Sequence, residues 1–333
     1  MPVHPVLQEM LDRSGAQPPP DATGLTTQEQ READDGMMAG LLALSEEGPE
    51  VAEVRDRMVL GPHGEFPVRV FTPEGTGPFP VYVYFHGGSW SMGNIAMTES
   101  ECRHIVRDVG CVVVSVDYHL APEHKFPIPV EDCYAATTWV VEHAAELAID
   151  PDRVAVGGSS AGGNLAAAVA LMARDRGGPK LLLQVLDVPV TDSRMKTPSM
   201  EENAQGYGLT KEGLQQAWDR YLRGPNDARN PYASPAFVED LSGLPPALVL
   251  TAEYDPLRDE GEEYGRRLQA AGVPATVSRY DGMIHGFTFF TKVLPAAREG
   301  RTAMITALRR AFTGWRGRAL PGVHPTQGGP QGS

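Results

Sequence analysis

Cysteine is scarce in this chain, with Cys102, Cys111 and Cys133 the only three among 333 residues. Any pairing leaves an odd thiol and the spacings fit no metal motif, so they read as small buried hydrophobes in a reducing compartment. No apolar run approaches the roughly 18 residues of a membrane span. The opening Met1-Pro2-Val3-His4-Pro5-Val6-Leu7 lacks a basic region followed by an apolar one, and the expectation is a soluble, cytoplasmic protein with no membrane partner. Nine histidines show neither His-x-x-x-His nor His-Glu-x-x-His, so neither a metal nor another cofactor is expected. Basic residues are the minority, 29 against 43 acidic for a net charge of −14. With no basic stripe, nucleic acid is a poor partner. No repeat is visible at any period, which excludes solenoids and fibres.

What is present is a serine between glycines. Residues 157 to 163 read Gly-Gly-Ser-Ser-Ala-Gly-Gly, directly after the apolar Val154-Ala155-Val156 and before the helix-forming Asn164-Leu165-Ala166-Ala167-Ala168. A serine at such a strand-to-helix reversal is the sequence form of a nucleophile elbow, with Ser160 at the apex. The register on Ser159 has glycine on one side only, which makes it the weaker alternative. A phosphate-binding loop would need Gly-Lys-Ser/Thr at its end, and Asn164 stands where the lysine would be.

A serine hydroxyl needs a base, and the base needs a carboxylate to orient it, in the chain order Ser, acid, His. Downstream of Ser160 there are two histidines, His285 and His324. His324 falls in a Gly/Pro-rich tail that cannot hold a fixed geometry, whereas His285 follows the strand-like Ala275 to Tyr280. The acid belongs after the preceding strand, Ala247 to Thr251. Asp255, in a turn beside Pro256, is the first choice there; Glu253 and Asp259 remain alternatives. Donors for the developing oxyanion come from the Ala161 amide and from a glycine-rich loop after an earlier strand. That loop is His86-Gly87-Gly88-Ser89-Trp90, directly after the apolar Val81 to Phe85.

Strands are expected near 51–60, 67–72, 81–85, 112–117, 153–157, 182–188, 247–251 and 275–280, alternating with helices near 96–109, 129–147, 161–176, 258–271 and 297–313. That order belongs to an α/β fold with a mostly parallel sheet. The first two strands, joined by Gly61-Pro62-His63-Gly64, suit an antiparallel edge pair. Two segments stand outside the alternation. Residues 1–45 carry Pro18-Pro19-Pro20 and then a helical pattern with Met37, Met38, Leu41, Leu42 and Leu44. Residues 191–231 carry Ser199-x-x-Glu202, a capping-box form, and a helix near 211–222 with Leu214, Trp218, Tyr221 and Leu222 on one face. The core then comprises 46–190 and 232–315, and residues 316–333 read as a disordered tail.

The chain resembles the hormone-sensitive-lipase-like family of α/β-hydrolases, the bacterial carboxylesterases of family IV. The likeness runs through the loop and elbow, through Asp117-Tyr118-His119-Leu120-Ala121-Pro122-Glu123-His124-Lys125-Phe126-Pro127, through Leu244-Pro245-Pro246-Ala247 and Asp255 to Gly261, and through His285-Gly286-Phe287. It spans roughly residues 45 to 315. The resemblance implies the α/β-hydrolase fold, an eight-stranded mostly parallel sheet with helices on both faces, and a helical cap made of the two outlying segments. It also implies Ser160 as nucleophile, His285 as base and then acid, Asp255 as orienter, and an oxyanion hole at Gly87, Gly88, Ser89 and Ala161. Candidates for the substrate pocket are Trp90, Tyr207, Leu209 and Trp218, joined by Tyr221, Leu257 and Ile284. Two positions depart from the family pattern: Ser89 replaces the third loop glycine, and Ser159 stands where Asp or Thr is usual. The expected activity is hydrolysis of short- to medium-chain esters through an acyl-enzyme, by a monomer or homodimer. An amidase or N-deacetylase on the same triad, and a non-catalytic receptor on the same fold, are the alternatives.

Overall fold

The computed structural model describes residues 1–15 and 27–314. The expected Pro18–Pro20 segment, His324 and the tail 316–333 lie outside the described residues, as do the side chains of Met37, Met38 and Leu41. Eight strands form one sheet: β1 (Glu53–Gly61), β2 (Gly64–Thr72), β3 (Phe79–Phe85), β4 (Val112–Val116), β5 (Ile149–Ser159), β6 (Leu181–Asp187), β7 (Ala247–Tyr254) and β8 (Ala275–Ile284). Their spatial order is β1-β2-β4-β3-β5-β6-β7-β8. The β1-β2 and β2-β4 pairs are antiparallel and every later pair is parallel. This is the α/β-hydrolase fold. The Gly61↔Gly64 pairing closes the first hairpin on a two-residue turn, as its glycines suggest.

Ten α-helices complete the described chain: α1 (Pro5–Gly15), α2 (Thr27–Leu42), α3 (Glu99–Ile105), α4 (Ile128–Glu142), α5 (Ala161–Asp175), α6 (Pro198–Glu202), α7 (Lys211–Tyr221), α8 (Pro225–Ala228), α9 (Arg258–Ala270) and α10 (Pro295–Thr313). The central strands are buried on both sides, which explains their unbroken Val-rich runs: β4 reads Val-Val-Val-Ser-Val with every residue buried. Helix α5 is buried from Ala161 to Ala173. Its alanines and glycines let it lie close against the sheet.

Three local expectations need correction. The helix expected over 96–109 is a 3₁₀ turn (Ile95–Thr98), then α3, then a π-helical turn (Val106–Gly110) that ends on Gly110 at φ 72°. Ser199-x-x-Glu202 is not a capping box: Pro198 begins α6 with Thr197 as its cap residue. The Ser199 hydroxyl instead donates to the Pro256 carbonyl and its amide donates to Asp259, so tertiary partners outcompete the local motif. Helix α1 was not anticipated. It starts with Pro5 at its first position and places fully buried Leu7 against Met283, Ile284 and Phe287.

The side chain of Arg31 ties helix α2 to the core. Arg31 donates from Nε to the Ser91 carbonyl (2.9 Å) and from an Nη to that of Ala121 (3.2 Å), and it grips the Glu123 carboxylate at two points, 2.7 and 3.2 Å. Its guanidinium is only partly exposed, unlike that of Arg13, which pairs with Glu9 in open solvent. Arg31→Met should therefore cost about 1–3 kcal/mol in chemical denaturation, because two carbonyls and a carboxylate lose charge-assisted partners. Arg13→Met should cost less than about 0.5 kcal/mol. Equal effects of the two changes would show that Arg31 does not hold α2 down.

Candidate active site

Ser160 sits between β5 and α5 at φ 56°, ψ −116°, a backbone region sparsely populated by residues with a Cβ. The strain is imposed by closeness. A Cβ on Gly158 would lie 2.3 Å from the Phe85 carbonyl oxygen, and one on Gly162 would lie 2.0 Å from it. Helix α5 can enter against the end of β3 only with glycine on both sides of the serine. The Ser160 amide donates to the Asp187 carbonyl at 2.8 Å, which fixes the turn to β6. Ser159 is the last residue of β5 and is 1% exposed, so its hydroxyl faces the interior and Ser160 takes the apex.

The other two groups arrive from the ends of β7 and β8. The Ser160 hydroxyl lies 3.0 Å from His285 Nε2, and His285 Nδ1 lies 2.8 Å from Asp255 Oδ2. With Nδ1 protonated toward the carboxylate, Nε2 is free to accept the serine proton. Asp255 is 1% exposed, and its other oxygen accepts from the Leu257 amide at 2.9 Å. The alternatives are occupied elsewhere. Glu253 pairs with the Met1 ammonium and accepts from the Gly282 amide, and Asp259 accepts from the Ser199 amide and Arg258. Burial opposes a charged imidazole at His285, but the Asp255 charge and hydrogen bond, and then the Asp187 charge, outweigh it and raise the pKa. The imidazolium formed when serine gives up its proton is thereby favoured.

The glycine-rich loop lies across from the serine. A Cβ on Gly87 would approach the Ser159 carbonyl oxygen to 2.9 Å and Ser160 Cβ to 3.5 Å. Gly88 adopts φ 115°, and its carbonyl accepts from the amides of Ser91 and Met92, so the chain doubles back after Gly88. Ala161 is the first residue of α5, and its N–H has no acceptor within the helix. His86, whose Nδ1 lies 2.7 Å from the Gly87 carbonyl, is braced by stacking on Tyr118 at 4.3 Å. It supports the loop from below.

The expected pocket residues separate into two groups. Trp90, Trp218 and Tyr221 form a buried aromatic stack, with Trp90 parallel to Tyr221 at 4.3 Å and 4.7 Å from Trp218. They join α7 to the loop, a contact worth about 0.5–1.5 kcal/mol per ring pair beyond area burial. Tyr207 packs on Tyr254 at 4.8 Å, Leu209 is half-buried, and Leu257 and Ile284 are buried beside the acid and the base. A cavity of about 450 Å³ opens on the other side of the His285 loop, between Leu42 to Gly48, Ala96 to Arg103 and Thr288 to Lys292. None of the seven expected pocket residues lines it. Among the described residues no group of His, Cys, Asp and Glu could hold a metal ion, and no helix is long and apolar enough to cross a membrane. Burial pushes the Cys102 thiol up to about 12, and the thiols of Cys111 and Cys133 are also raised by burial.

A hydroxyl, an imidazole and a carboxylate linked above the ends of a mostly parallel sheet define an α/β-hydrolase of the serine type. A family model described as "alpha/beta hydrolase fold" matches residues 82–289, and the chain belongs to that family, in its hormone-sensitive-lipase-like branch. It is 43% identical over 269 residues to the carboxylic ester hydrolase LipN of Mycobacterium tuberculosis (strain ATCC 25618 / H37Rv), covering 79% of this chain and 72% of the relative. It is 41% identical over 271 residues to an arylesterase of Saccharolobus solfataricus, covering 80% and 86%. The solved structure of a hyperthermophilic esterase from the archaeon Pyrobaculum calidifontis superposes with a TM-score of 0.85 at 40% identity, over 93% of this chain and 98% of that one. The chain is a carboxylester hydrolase.

The departure at Ser89 has an energetic consequence. Ser89 and Trp90 hold φ values of 53° and 58°, where a side chain costs about 1 kcal/mol or more per residue relative to glycine. Ser89→Gly should therefore raise the melting temperature, by about 2 °C for a chain of this size. A lower melting temperature would mean that the Ser89 hydroxyl contributes more than the backbone conformation costs.

Proposed function

We propose that this enzyme hydrolyses short- to medium-chain carboxylic esters through an acyl-enzyme on Ser160. The observation carrying the reading is the continuous hydrogen-bonded line from the Ser160 hydroxyl through His285 to buried Asp255. His285 takes the hydroxyl proton as serine attacks the ester carbonyl, and the amides of Gly87, Gly88, Ser89 and Ala161 receive the oxyanion. His285 then returns the proton to the departing alkoxide. Water repeats the cycle on the acyl-enzyme. Asp255 orients the imidazole and stabilises it when charged.

The segments 1–45 and 191–231 act as a cap. Both attach to the loop that would bind the oxyanion: Arg31 holds the Ser91 carbonyl, and Trp218 and Tyr221 pack on Trp90. With half-buried Tyr207 and Leu209 and with Leu257 and Ile284 by the triad, they wall a site of limited depth for a small ester. Three buried thiols held in the reduced form fit a cytoplasmic enzyme.

Ser160→Ala should lower kcat on the order of 10⁴-fold or more and abolish labelling by an organophosphate, while Ser159→Ala keeps both. Mass spectrometry placing the adduct on Ser159 would reverse the assignment. Across a series of p-nitrophenyl esters, kcat/KM should peak between roughly two and eight acyl carbons, since each methylene gains about 0.8 kcal/mol only while there is room to bury it. A steady rise into long-chain substrates would refute the bounded pocket.

A further inference from the structure

A second carboxylate stands behind the triad. Asp187, the last residue of β6, is 4% exposed, and its two functional groups face different parts of the site. Its main-chain carbonyl accepts the Ser160 amide at 2.8 Å. Its Oδ2 accepts the Thr288 hydroxyl at 2.7 Å, across 101 positions of sequence. Thr288 lies three residues beyond His285, in the short 3₁₀ turn Phe287–Phe289 that follows Gly286. One residue thus ties the nucleophile's backbone to the loop that carries the base. The sheet register sets Ser159 directly beside it on β5.

We propose that Asp187 is a positioning residue for the reaction, one that locks the His285 loop to the elbow through Thr288 and presents a negative charge to the His285 imidazolium. The inference rests on the triad reading above. A neutral acceptor could hold the Thr288 hydroxyl equally well and would cost less to bury. A carboxylate in that position makes sense when its charge is used. The groups acting on it come from every element around it: His285, Asp255 and Thr288 from the loops after β7 and β8, Ser159 from β5, and the phenols of Tyr82 and Tyr84 on β3 and Tyr280 on β8. Glu101 on α3 adds like charge from farther out. Burial lifts the Asp187 carboxyl to about 6, with the Thr288 and Ser159 hydroxyls and the His285 charge pulling the other way. Its charge adds to that of Asp255 in raising His285.

The test compares Asp187→Asn, Thr288→Val and Thr288→Ser with the parent in the full chain. For Asp187→Asn, the acid limb of kcat/KM should move to lower pH by about half a unit, because the imidazolium loses a stabilising charge. Its kcat should fall about tenfold with KM little changed, as for an interaction strengthened in the transition state. Thr288→Val should lower kcat about threefold or more by freeing the loop, and Thr288→Ser should restore it. If Asp187→Asn does not fold, the Val and Ser pair decides alone: a Thr288→Val enzyme equal to the parent overturns the proposal. A folded Asp187→Asn enzyme with the parent's kcat and acid limb overturns it as well. In each case organophosphate labelling of Ser160 is measured in the parent. Loss of labelling there would instead overturn the triad reading, so the two failures are distinct.

Discussion

The approach of α5 to the end of β3 is the contact on which the rest of the site depends. The α-carbons of Gly158 and Gly162 sit so close to the Phe85 carbonyl that no side chain fits between them. That closeness forces Ser160 into its strained conformation and leaves its hydroxyl at the apex, clear of the sheet. A strained residue of this kind costs about 1–3 kcal/mol and persists only when its surroundings determine it completely. Here they do: the Ser160 amide is held by Asp187, the Asn164 side chain donates to the carbonyls of Val190 and Ala233, and α5 is buried along most of its length. The large apolar core supplies the stability that the elbow consumes.

The parallel sheet does the remaining positioning. Strands β3, β5, β6, β7 and β8 all run the same way, so their carboxyl ends share one edge and the loops that leave them meet there. The glycine-rich loop 86–90, Ser160, Asp187, Asp255 and His285 each follow or end a different strand. Residues as far apart as Ser160 and His285, 125 positions, are therefore brought within hydrogen-bonding range by a rigid frame. The hydrogen bonds of 3.0 and 2.8 Å within the triad follow from that frame and need no induced closure.

Much of this was legible in the residues, because the relevant signals are local. The Val-rich runs mark doubly covered strands, all eight strands fall where expected, and the scarcity of histidine after Ser160 points to His285. Asp255 was harder to separate from Glu253 and Asp259, since only tertiary contacts reveal that the latter two have other partners. The aromatic residues misled in a different way. Trp90, Trp218 and Tyr221 look like pocket walls on a helical face, yet they stack on one another in the interior, and sequence carries no sign of which face of α7 meets which loop. Ser199 was misread for a similar reason, its local motif losing to the Pro256 carbonyl. Asp187 gave no signal at all. It falls inside the strand expected near 182–188, and its importance lies in a hydroxyl 101 residues away.

The glycine-rich loop carries a cost that the core does not cover. Gly88, Ser89 and Trp90 all hold positive φ, and two of the three have side chains. Left to itself such a run would relax toward negative φ. What prevents this comes largely from the two segments outside the sheet: Tyr221 covers the Trp90 ring, and Arg31 takes the Ser91 carbonyl one residue further on. Both anchors act on a loop that lies beside the elbow, and the proposed use of its amides as preorganised donors makes its geometry matter to catalysis. Under the proposed function, the helices that carry Arg31 and Tyr221 therefore bear on the transition state, because the loop they hold down is the one assigned to the oxyanion.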